Sequence, residues 1–379
     1  MKQQSRTSSS WMMKVGGFVL AACLLAPLAG MARADAAVAP LGPRAGISGG
    51  SVILWEPDNQ RIVELTQIAN SGAGWFAMDI DWPSIEPQRG TFNWAATDRV
   101  VQEAHARGLK ILGIVGYTPK WAQGRGCPSG TTHCLPARAE DYGAFAKVAA
   151  ARYGAYSSNP ALRGTVQAWQ VWNEPNHYPY VQKVDIPRYT LMLKQAYLGI
   201  KSVDPTSTVI AGGTSPAPND PSGKDMSPAN FLSAIYLWTG KGYFDAFGHH
   251  PYSFPCDPQT PASWNAFQQT LNLRWIMAAV GDGAKKIWAT EIGAPTAADV
   301  GTCTGHNGSS MTESGQALIT AQYMQGWIKD WSAFTGPMIW YMIRDAGTNA
   351  WARDDNFGLV HRDFSPKQSY TVFQQELRG

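Results

Sequence analysis

Two glutamates occupy positions where a surface carboxylate is not expected. Glu174 closely follows an apolar, strand-like run at residues 166–171, and Glu291 follows a similar run at residues 286–290. Two carboxyl groups that face each other can divide catalytic roles, because their surroundings can hold one protonated as an acid and keep the other ionised as a nucleophile. Two glutamates in surface salt bridges are the alternative. The occurrence of both motifs in one chain favours the catalytic interpretation.

Eight strand-like runs alternate with helix-like runs along the chain. The strands are expected at residues 47–54, 74–80, 110–115, 166–171, 207–211, 246–249, 286–290 and 337–342. The helices are expected at 59–69, 97–107, 139–152, 187–203, 228–238, 262–280, 313–331 and 366–377. This order predicts an α/β fold, a single-domain (β/α)8 TIM barrel over residues 45–379, with both glutamates at the carboxyl ends of strands. A doubly wound sheet is the alternative, but no Gly-x-Gly-x-x-Gly motif follows the first strand.

The composition excludes some classes of partner. The 379 residues carry 31 Lys and Arg against 28 Asp and Glu, a formal net charge of +3, and contain no basic run. Nucleic-acid binding is therefore not expected. The aromatic content is high, with 16 Trp, 14 Tyr and 13 Phe, which is enough for a core and for flat platforms that stack on sugar rings. We expect no metal, no organic cofactor and no obligate protein partner.

The pentapeptide W-N-E-P-N at residues 172–176 is a specific motif. Together with the second glutamate and the order of elements, it resembles the retaining glycoside hydrolases of clan A, most like family 39 and then family 5. The resemblance covers the whole chain after a leader segment. It implies that Glu174 is the acid/base, that Glu291 is the nucleophile, and that Asn173 hydrogen-bonds the sugar 2-hydroxyl. The implied substrate is a polysaccharide or an oligosaccharide.

Two further segments match the same resemblance. The H-H-P-Y segment after the sixth strand is similar to a His-x-Tyr element, which implies that Tyr252 contacts the nucleophile and that His250 faces the site. His249 is the alternative, since a one-residue slip reverses which side chain points inward. A metal site on this histidine pair is a further alternative, without an evident third ligand. Trp340 and Tyr341 match the aromatic floor of the subsite that holds the scissile sugar.

Other aromatic side chains at or past strand ends are candidates for a glycan cleft, with core packing as the alternative for each. Those chosen as substrate contacts are Trp82, Trp121 and Tyr178, and the same reasoning extends to Trp55, Tyr117, His177 and Tyr180. Three further tryptophans fall inside helices and are expected in the core: Trp275, Trp327 and Trp331.

Ala77 departs from the resemblance. Relatives usually carry an arginine at this position, where it supports the nucleophile and helps to keep it ionised. Neither Asp79 nor Asp81 replaces a cation. Arg344, in a W-Y-x-x-R-D pattern, is one candidate replacement. Otherwise the nucleophile is tuned differently.

The resemblance leaves several activities open. A chain that stops after the eighth helix lacks the C-terminal β-sandwich of the exo-acting xylosidases in the family, which favours endo action on a β-linked bacterial exopolysaccharide or plant hemicellulose. The alternatives are a transglycosylase that remodels polysaccharide, an exo-β-glycosidase of the xylosidase type, and a carbohydrate-binding pseudoenzyme. The missing arginine is the only support for the pseudoenzyme.

Four cysteines remain once Cys23 is removed with the leader, and their spacing is not that of a zinc site. Cys127 with Cys134 would close a small loop rich in Gly and Pro. That pairing leaves Cys256 with Cys303, which would join the loops after the sixth and seventh strands. Two other pairings and free buried thiols are the alternatives.

The N-terminus has the pattern of an export signal. Basic residues precede an apolar run at 15–31, and overlapping A-x-A cleavage sites follow at 32–36. We expect a signal peptide at residues 1–34, a disordered stub at 35–44, and a secreted or periplasmic protein. Lipoprotein anchoring at Cys23 is the alternative, because an L-A-A-C sequence lies inside the apolar run.

Overall fold

The computed structural model describes residues 41–50, 52–303 and 310–378. Eight parallel strands form a closed barrel in chain order, and the first strand pairs with both the second and the eighth. The predicted (β/α)8 barrel is confirmed. The expected signal peptide, Cys23 and residues 35–40 of the expected stub lie outside the described residues.

The strands and helices alternate as expected. The strands are β1 (Ala45–Ser48), β2 (Trp75–Asp81), β3 (Lys110–Gly116), β4 (Val166–Val171), β5 (Thr208–Thr214), β6 (Ala246–His249), β7 (Lys286–Ile292) and β8 (Thr335–Trp340). The helices are α1 (Asp58–Asn70), α2 (Trp82–Ile85), α3 (Ala95–His105), α4 (Ala139–Tyr153), α5 (Ile186–Val203), α6 (Pro228–Leu237), α7 (Ala266–Ala279), α8 (Glu313–Met324) and α9 (Gln368–Arg378). Among the described residues, no helix is both long enough and apolar enough to cross a membrane.

Local sequence signals explain where the helices near the site begin. The Asp185 carboxylate accepts a hydrogen bond from the Arg188 N–H before α5, and the Ser227 hydroxyl caps α6 in the same way. A proline follows each cap, where its fixed φ suits the first helical turn and its missing N–H leaves no donor unpaired. These caps fix the ends of the loops after β4 and β5, which carry site residues.

Alternate strand residues fill the barrel interior. One buried apolar layer contains Trp75, Ala77, Leu112, Ala168, Ile210, Ala246, Trp288 and Ile339. The rings of Trp75 and Trp288 meet edge to face, with centroids 5.1 Å apart. Because side chains alternate along a strand, the inward residue after Ala77 on β2 is Asp79, at the mouth of the barrel.

The secondary structure at the start of the barrel, over residues 42–54, differs from the prediction. The first strand was expected at residues 47–54, but β1 ends at Ser48 and a short 3-10 helix follows at Val52–Leu54. The part of the expected disordered stub that the structure describes is ordered, with a 3-10 helix at Gly42–Arg44. The Arg44 guanidinium donates a hydrogen bond to the Thr335 hydroxyl over 2.9 Å, and this contact holds the segment against β8.

The three helix tryptophans expected in the core divide among different environments. Trp327 is fully buried, and Trp331 is partly buried. Trp275 is 73% exposed on α7, so its assignment to the core was wrong. It lies on the face of the helix opposite to Leu273 and Met277, which are buried.

Both expected disulfides are present. Cys127 pairs with Cys134 inside the loop after β3, and Cys256 pairs with Cys303. The second bond joins the loop after β6 to the loop after β7. It therefore ties together two loops at the face that carries the carboxyl ends of the strands.

Candidate active site

The ends of β4 and β7 bring the two predicted glutamates together. One carboxylate oxygen of Glu174, one of Glu291 and a ring nitrogen of His250 all lie within 4.8 Å of one another. Carboxyl groups of retaining glycosidases are about 5–5.5 Å apart, whereas those of inverting enzymes are about 6.5–9.5 Å apart to admit a water molecule. The observed spacing is closer to the shorter of these two separations.

A strained backbone aims Glu174 at this point. Trp172 and Glu174 have positive φ angles of 71° and 45°, a region that residues other than glycine rarely adopt. The Glu174 N–H donates to the Gly213 carbonyl over 3.0 Å, and the Trp172 indole donates to the Tyr180 carbonyl over 2.9 Å. These bonds hold the strained turn, as is usual where strain serves a site.

Tyr252 holds Glu291. Its hydroxyl donates a hydrogen bond to Oε1 of Glu291 over 2.5 Å. Burial and the neighbouring Glu291 raise the pKa of Tyr252 well above its usual value, so the hydroxyl remains a donor. Burial also raises the pKa of Glu291, and the nearby Glu174 adds to this, while the charge of His250 and the Tyr252 hydrogen bond oppose it. The hydroxyl therefore favours the ionised form of Glu291.

Glu174 lies in a different environment. Only 6% of its surface is exposed, and burial raises its pKa to about 7, with His177 and Ser215 opposing the shift. Nδ1 of His250 lies 2.9 Å from Oε1 of Glu174, within hydrogen-bonding distance. Below pH 7, Glu174 is therefore mostly protonated, as a general acid must be.

The structure distinguishes the two histidines. His250 lies against both carboxylates, whereas His249 is buried between the Thr214 and Ala266 segments with its ring nitrogens near backbone oxygens. Burial lowers the pKa of His249 to about 4, so it is a neutral packing residue. Glu174, His250 and Glu291 form a set of side chains that could hold a metal ion, but Tyr252 and the His250–Glu174 contact already engage them.

The two glutamates open into a cavity of about 600 Å³, within the size range of small-molecule sites. Its lining combines the two acids with aromatic and polar side chains: Glu174, His177, Pro179, Tyr180, Ser215, Pro216, Tyr252, Phe254, Glu291, Val300, Tyr341, Arg353, Asp354 and Phe357. A larger groove of about 760 Å³ runs beside the Cys127–Cys134 loop. Its lining includes no pair of carboxylates, so it does not offer the same chemistry.

Two predicted aromatic contacts are wrong. Trp340 and Trp82 are both 0% exposed. On β8, alternation turns Trp340 toward the helices, where it meets the ring of Tyr323, and Tyr341 lines the cavity instead. Trp82 lies in α2 and donates its indole N–H to the Glu86 carboxylate over 2.7 Å.

Three other predicted contacts, Trp121, Tyr178 and Asn173, are not among the residues that line the cavity, whereas Tyr252, Tyr341, His177 and Tyr180 are. Trp121 donates its indole N–H to the Glu86 carbonyl, and the Arg89 guanidinium covers its ring, so it is not a free stacking platform. Tyr178 is exposed beside His177 and lies under the Lys224 ammonium. Asn173 is partly buried, and its side chain hydrogen-bonds with Tyr117.

Arg344 does not replace the missing arginine. It is buried and forms ion pairs with Glu56 and Glu64. The strongest charge effects on Glu291 come from His250, Glu174 and Asp79, and no Lys or Arg of the described residues is among them. This arrangement agrees with the other expectation, that groups other than an arginine set the pKa of Glu291.

Sequence reasoning missed several residues at the site. Ser215, Arg353, Asp354 and Phe357 line the cavity from loops with no recognisable motif. Asp79 was considered only as a replacement for a cation, although alternation along β2 from Ala77 could have placed it at the barrel mouth.

We expect Tyr252→Phe to lower kcat roughly 10²-fold, because it removes one preorganised donor to a charged group. KM should change much less, since the hydroxyl contacts Glu291 and not the bulk of the substrate. Steady-state kinetics measure both values, with Tyr156→Phe on the exposed surface as the control. An unchanged kcat in Tyr252→Phe would contradict a role for this hydrogen bond.

Several solved structures share the fold. A family 39 glycoside hydrolase from the gut symbiont Bacteroides cellulosilyticus has 22% identity and a TM-score of 0.66 over 89% of this chain and 64% of its own. A family 39 β-xylosidase from Caulobacter crescentus has 18% identity and a TM-score of 0.63, covering 90% of this chain and 72% of its own.

A family 5 subfamily 18 protein from Streptomyces cattleya, in complex with GlcNAc, has 15% identity and a TM-score of 0.64 over 89% of this chain and 80% of its own. The chain thus spans less than two thirds of the Bacteroides structure. No protein-family model and no curated protein matches the sequence. The likeness expected from the motifs is confirmed at the level of the fold.

Proposed function

We propose that this protein is a retaining glycoside hydrolase that acts by double displacement on a β-linked polysaccharide, with Glu291 as the nucleophile and Glu174 as the acid/base. The observation that carries the proposal is the spacing of the two carboxylates, within 4.8 Å at the mouth of a (β/α)8 barrel. Their different surroundings support the division of roles. The Tyr252 hydroxyl donates a hydrogen bond to Glu291, whereas burial raises the pKa of Glu174 to about 7.

In the first step, a carboxylate oxygen of Glu291 attacks the anomeric carbon. The bond from that carbon to the leaving oxygen breaks, and Glu174 gives its proton to this oxygen. The products are a glycosyl ester on Glu291 and a released sugar with a new hydroxyl. Asn173 is suited to hold the 2-hydroxyl, and Tyr341 to contact the sugar ring.

In the second step, Glu174 acts as a base. It takes a proton from a water molecule, whose oxygen attacks the anomeric carbon and displaces Glu291. Two inversions at one carbon give net retention. Both glutamates return to their starting protonation states, so no cofactor is needed for the proton balance.

The shape of the site favours endo action. The cavity shares Val300, Arg353 and Asp354 with a neighbouring depression of about 380 Å³, which extends the space beyond one sugar. Ala352 also lines this depression, and Trp351, the residue before it, is 74% exposed and offers a flat face for a further sugar. A cleft of this kind would accept the interior of a chain.

The two disulfides support a secreted or periplasmic location, because disulfides persist in oxidising compartments. A polysaccharide outside the cytoplasm is the partner that fits this location.

The proposal is tested by incubating the protein with a panel of bacterial exopolysaccharides and plant hemicelluloses. We expect release of reducing ends, products of several sizes, and retained configuration at the new reducing end by NMR. Glu291→Gln should release far fewer reducing ends than the native protein, and Glu140→Gln, at an exposed position on α4, is the matched control.

Other outcomes separate the alternatives. Release of single sugars only would indicate an exo-glycosidase, and lengthening of a short acceptor would indicate a transglycosylase. Binding to a polysaccharide without any release would indicate a pseudoenzyme. Inversion of configuration would contradict the assignment of Glu291 as nucleophile.

A further inference from the structure

His177 lies on the wall of the catalytic cavity, and the proposed mechanism does not use it. The cavity that contains Glu174 and Glu291 is also lined by the His177 side chain. The His177 N–H donates a hydrogen bond to the Glu174 carbonyl over 3.0 Å, so the two residues belong to one turn after β4. The position of His177 is therefore tied to that of the acid/base.

Asp225 fixes the orientation of the imidazole ring. Oδ1 of Asp225 lies 2.8 Å from Nδ1 of His177 and accepts the Tyr178 N–H over 3.0 Å. Asp225 is not among the residues that line the cavity, so the ring turns its Nδ1 edge away from this space. Nε2 has no hydrogen-bond partner among the described residues, and the His177 side chain is 30% exposed. Nε2 is therefore the ring nitrogen that a ligand in the cavity can reach.

The Asp225 carboxylate also determines which ring nitrogen carries the proton. An ionised carboxylate only accepts hydrogen bonds, so Nδ1 of His177 is the donor in this pair. In the neutral imidazole, Nε2 then has a free lone pair. Such an atom accepts a hydrogen bond from a hydroxyl group, which is the donor that an uncharged sugar presents.

Asn176 holds together the two loops that carry His177 and Asp225. Its side-chain amide donates to the Ser215 and Met226 carbonyls over 2.8 and 2.7 Å and accepts the Ser215 N–H over 2.9 Å. The Met226 N–H donates to the Asn176 carbonyl over 3.0 Å. Asn176 is 0% exposed, so these bonds are shielded from water. The ring of His177 is thus oriented before a ligand arrives, which lowers the entropy lost on binding.

The wall formed by these two loops lies on the side of the acid/base. The loops after β4 and β5 line the cavity with His177, Pro179, Tyr180, Ser215 and Pro216. Glu174 belongs to the first of these loops, whereas Glu291 stands on β7, three strands further around the closed barrel. In the proposed mechanism, Glu174 gives its proton to the leaving oxygen. The sugar that carries this oxygen therefore lies against the wall that contains His177.

We propose that His177 is a specificity-determining residue for the leaving group, whose Nε2 accepts a hydrogen bond from a hydroxyl of the departing sugar, and that Asp225 is its positioning residue. The inference rests on the proposed function, because it takes the side of the leaving group from the role of Glu174. The same wall would bind a sugar that replaces water in the second step. The oxygen of such an acceptor attacks the anomeric carbon, its proton passes to Glu174, and the ester bond to Glu291 breaks.

The test measures how sugar acceptors release a trapped ester. The β-linked dinitrophenyl 2-deoxy-2-fluoro glycosides of glucose, galactose and xylose should form a slowly hydrolysed ester on Glu291. Cellobiose, β-1,4-galactobiose and xylobiose are the acceptors, and we expect them to speed release in a saturable manner. The half-saturating acceptor concentration should rise roughly 10-fold in His177→Asn, whose amide can reach Asp225 but leaves the position of Nε2 empty.

Two further variants separate the hydrogen bond from the bulk of the ring. His177→Gln places an amide oxygen near the position of Nε2, so it should recover most of the acceptor affinity that His177→Asn loses. Asp225→Ala should weaken acceptor binding as His177→Asn does, and combining these two changes should weaken it no further, because both act on one hydrogen bond. His105→Asn, at an exposed position on α3, is the matched control.

Several results would overturn the inference. Release that no acceptor speeds in the native protein, or an unchanged half-saturating concentration in His177→Asn, would show that His177 binds no sugar. Equal rises in His177→Asn and His177→Gln would show that the ring packs against the sugar without a hydrogen bond at Nε2.

A different result marks failure of the proposed function. Where none of the glycosides labels Glu291, that function fails, and calorimetry with cellohexaose and xylohexaose decides on His177. Weaker binding in His177→Asn that His177→Gln restores would still support the sugar contact. Equal binding in all variants, or no binding by the native protein, would overturn it.

Discussion

Replacing Glu291 by Gln should lower kcat roughly 10⁴-fold or more, because the amide cannot form the glycosyl ester on which the first step depends. The two side chains have nearly the same size, so the barrel should keep its stability. Hydrolysis rates on the best glycan from the panel measure the loss. Thermal unfolding measures whether the fold is retained.

A labelling experiment gives this prediction a second readout. A 2-deoxy-2-fluoro glycoside with a good leaving group slows the second step, so the ester should accumulate on Glu291 and be found there by peptide mass spectrometry. Glu140→Gln should label and hydrolyse like the native protein. Normal hydrolysis by Glu291→Gln, or a label on another residue, would show that the nucleophile lies elsewhere.

The barrel and the positions of both glutamates could be predicted from the sequence, because each depends on local sequence patterns. The predicted strands at 166–171 and 246–249 match β4 and β6 at both ends. In a barrel, the carboxyl ends of all strands share one face. A glutamate at or just past the carboxyl end of a buried strand is therefore placed without knowledge of any long-range contact. Glu291 is the penultimate residue of β7, and Glu174 lies three residues beyond the end of β4.

The role of each tryptophan depends on tertiary neighbours, which composition does not give. An indole can fill a core or stack on a sugar, and both uses need a partner for its N–H. Trp82 finds that partner in Glu86, four residues later in the chain, a spacing that could have indicated a local helix contact. Trp340 was misassigned because one residue decides which side of β8 faces the cavity.

The ion pairs around the site could not be predicted from the sequence, because they join residues that are far apart in the chain. His177 pairs with Asp225 across 2.8 Å, and Arg344 pairs with Glu56 from the other end of the chain. Loops after different strands bring these residues together, and their lengths do not follow from periodicity. The sequence could therefore predict that an arginine is missing at Ala77, but not which groups would surround Glu291.

Replacing Glu174 by Gln should separate substrates by their leaving groups. On a glycan, the leaving oxygen needs a proton, so kcat/KM should fall roughly 10²- to 10⁴-fold. A dinitrophenyl glycoside has a leaving group that departs without protonation, so its first step should be nearly unaffected. In Glu174→Ala, the second step lacks its base, and azide should restore turnover by forming a glycosyl azide of retained configuration.

The pH profile follows from the same residue. Burial raises the pKa of Glu174 to about 7, so the acid form is present below that pH and is lost as the pH rises through it. Activity on a glycan should therefore fall on the alkaline side near pH 7, while the acidic side reports the ionisation of Glu291. In its residual activity on the same glycan, Glu174→Gln should lose the alkaline limb and keep the acidic one. An alkaline limb that persists unchanged in this variant would mean that another group supplies the proton, and the acid/base role would have to be assigned to it.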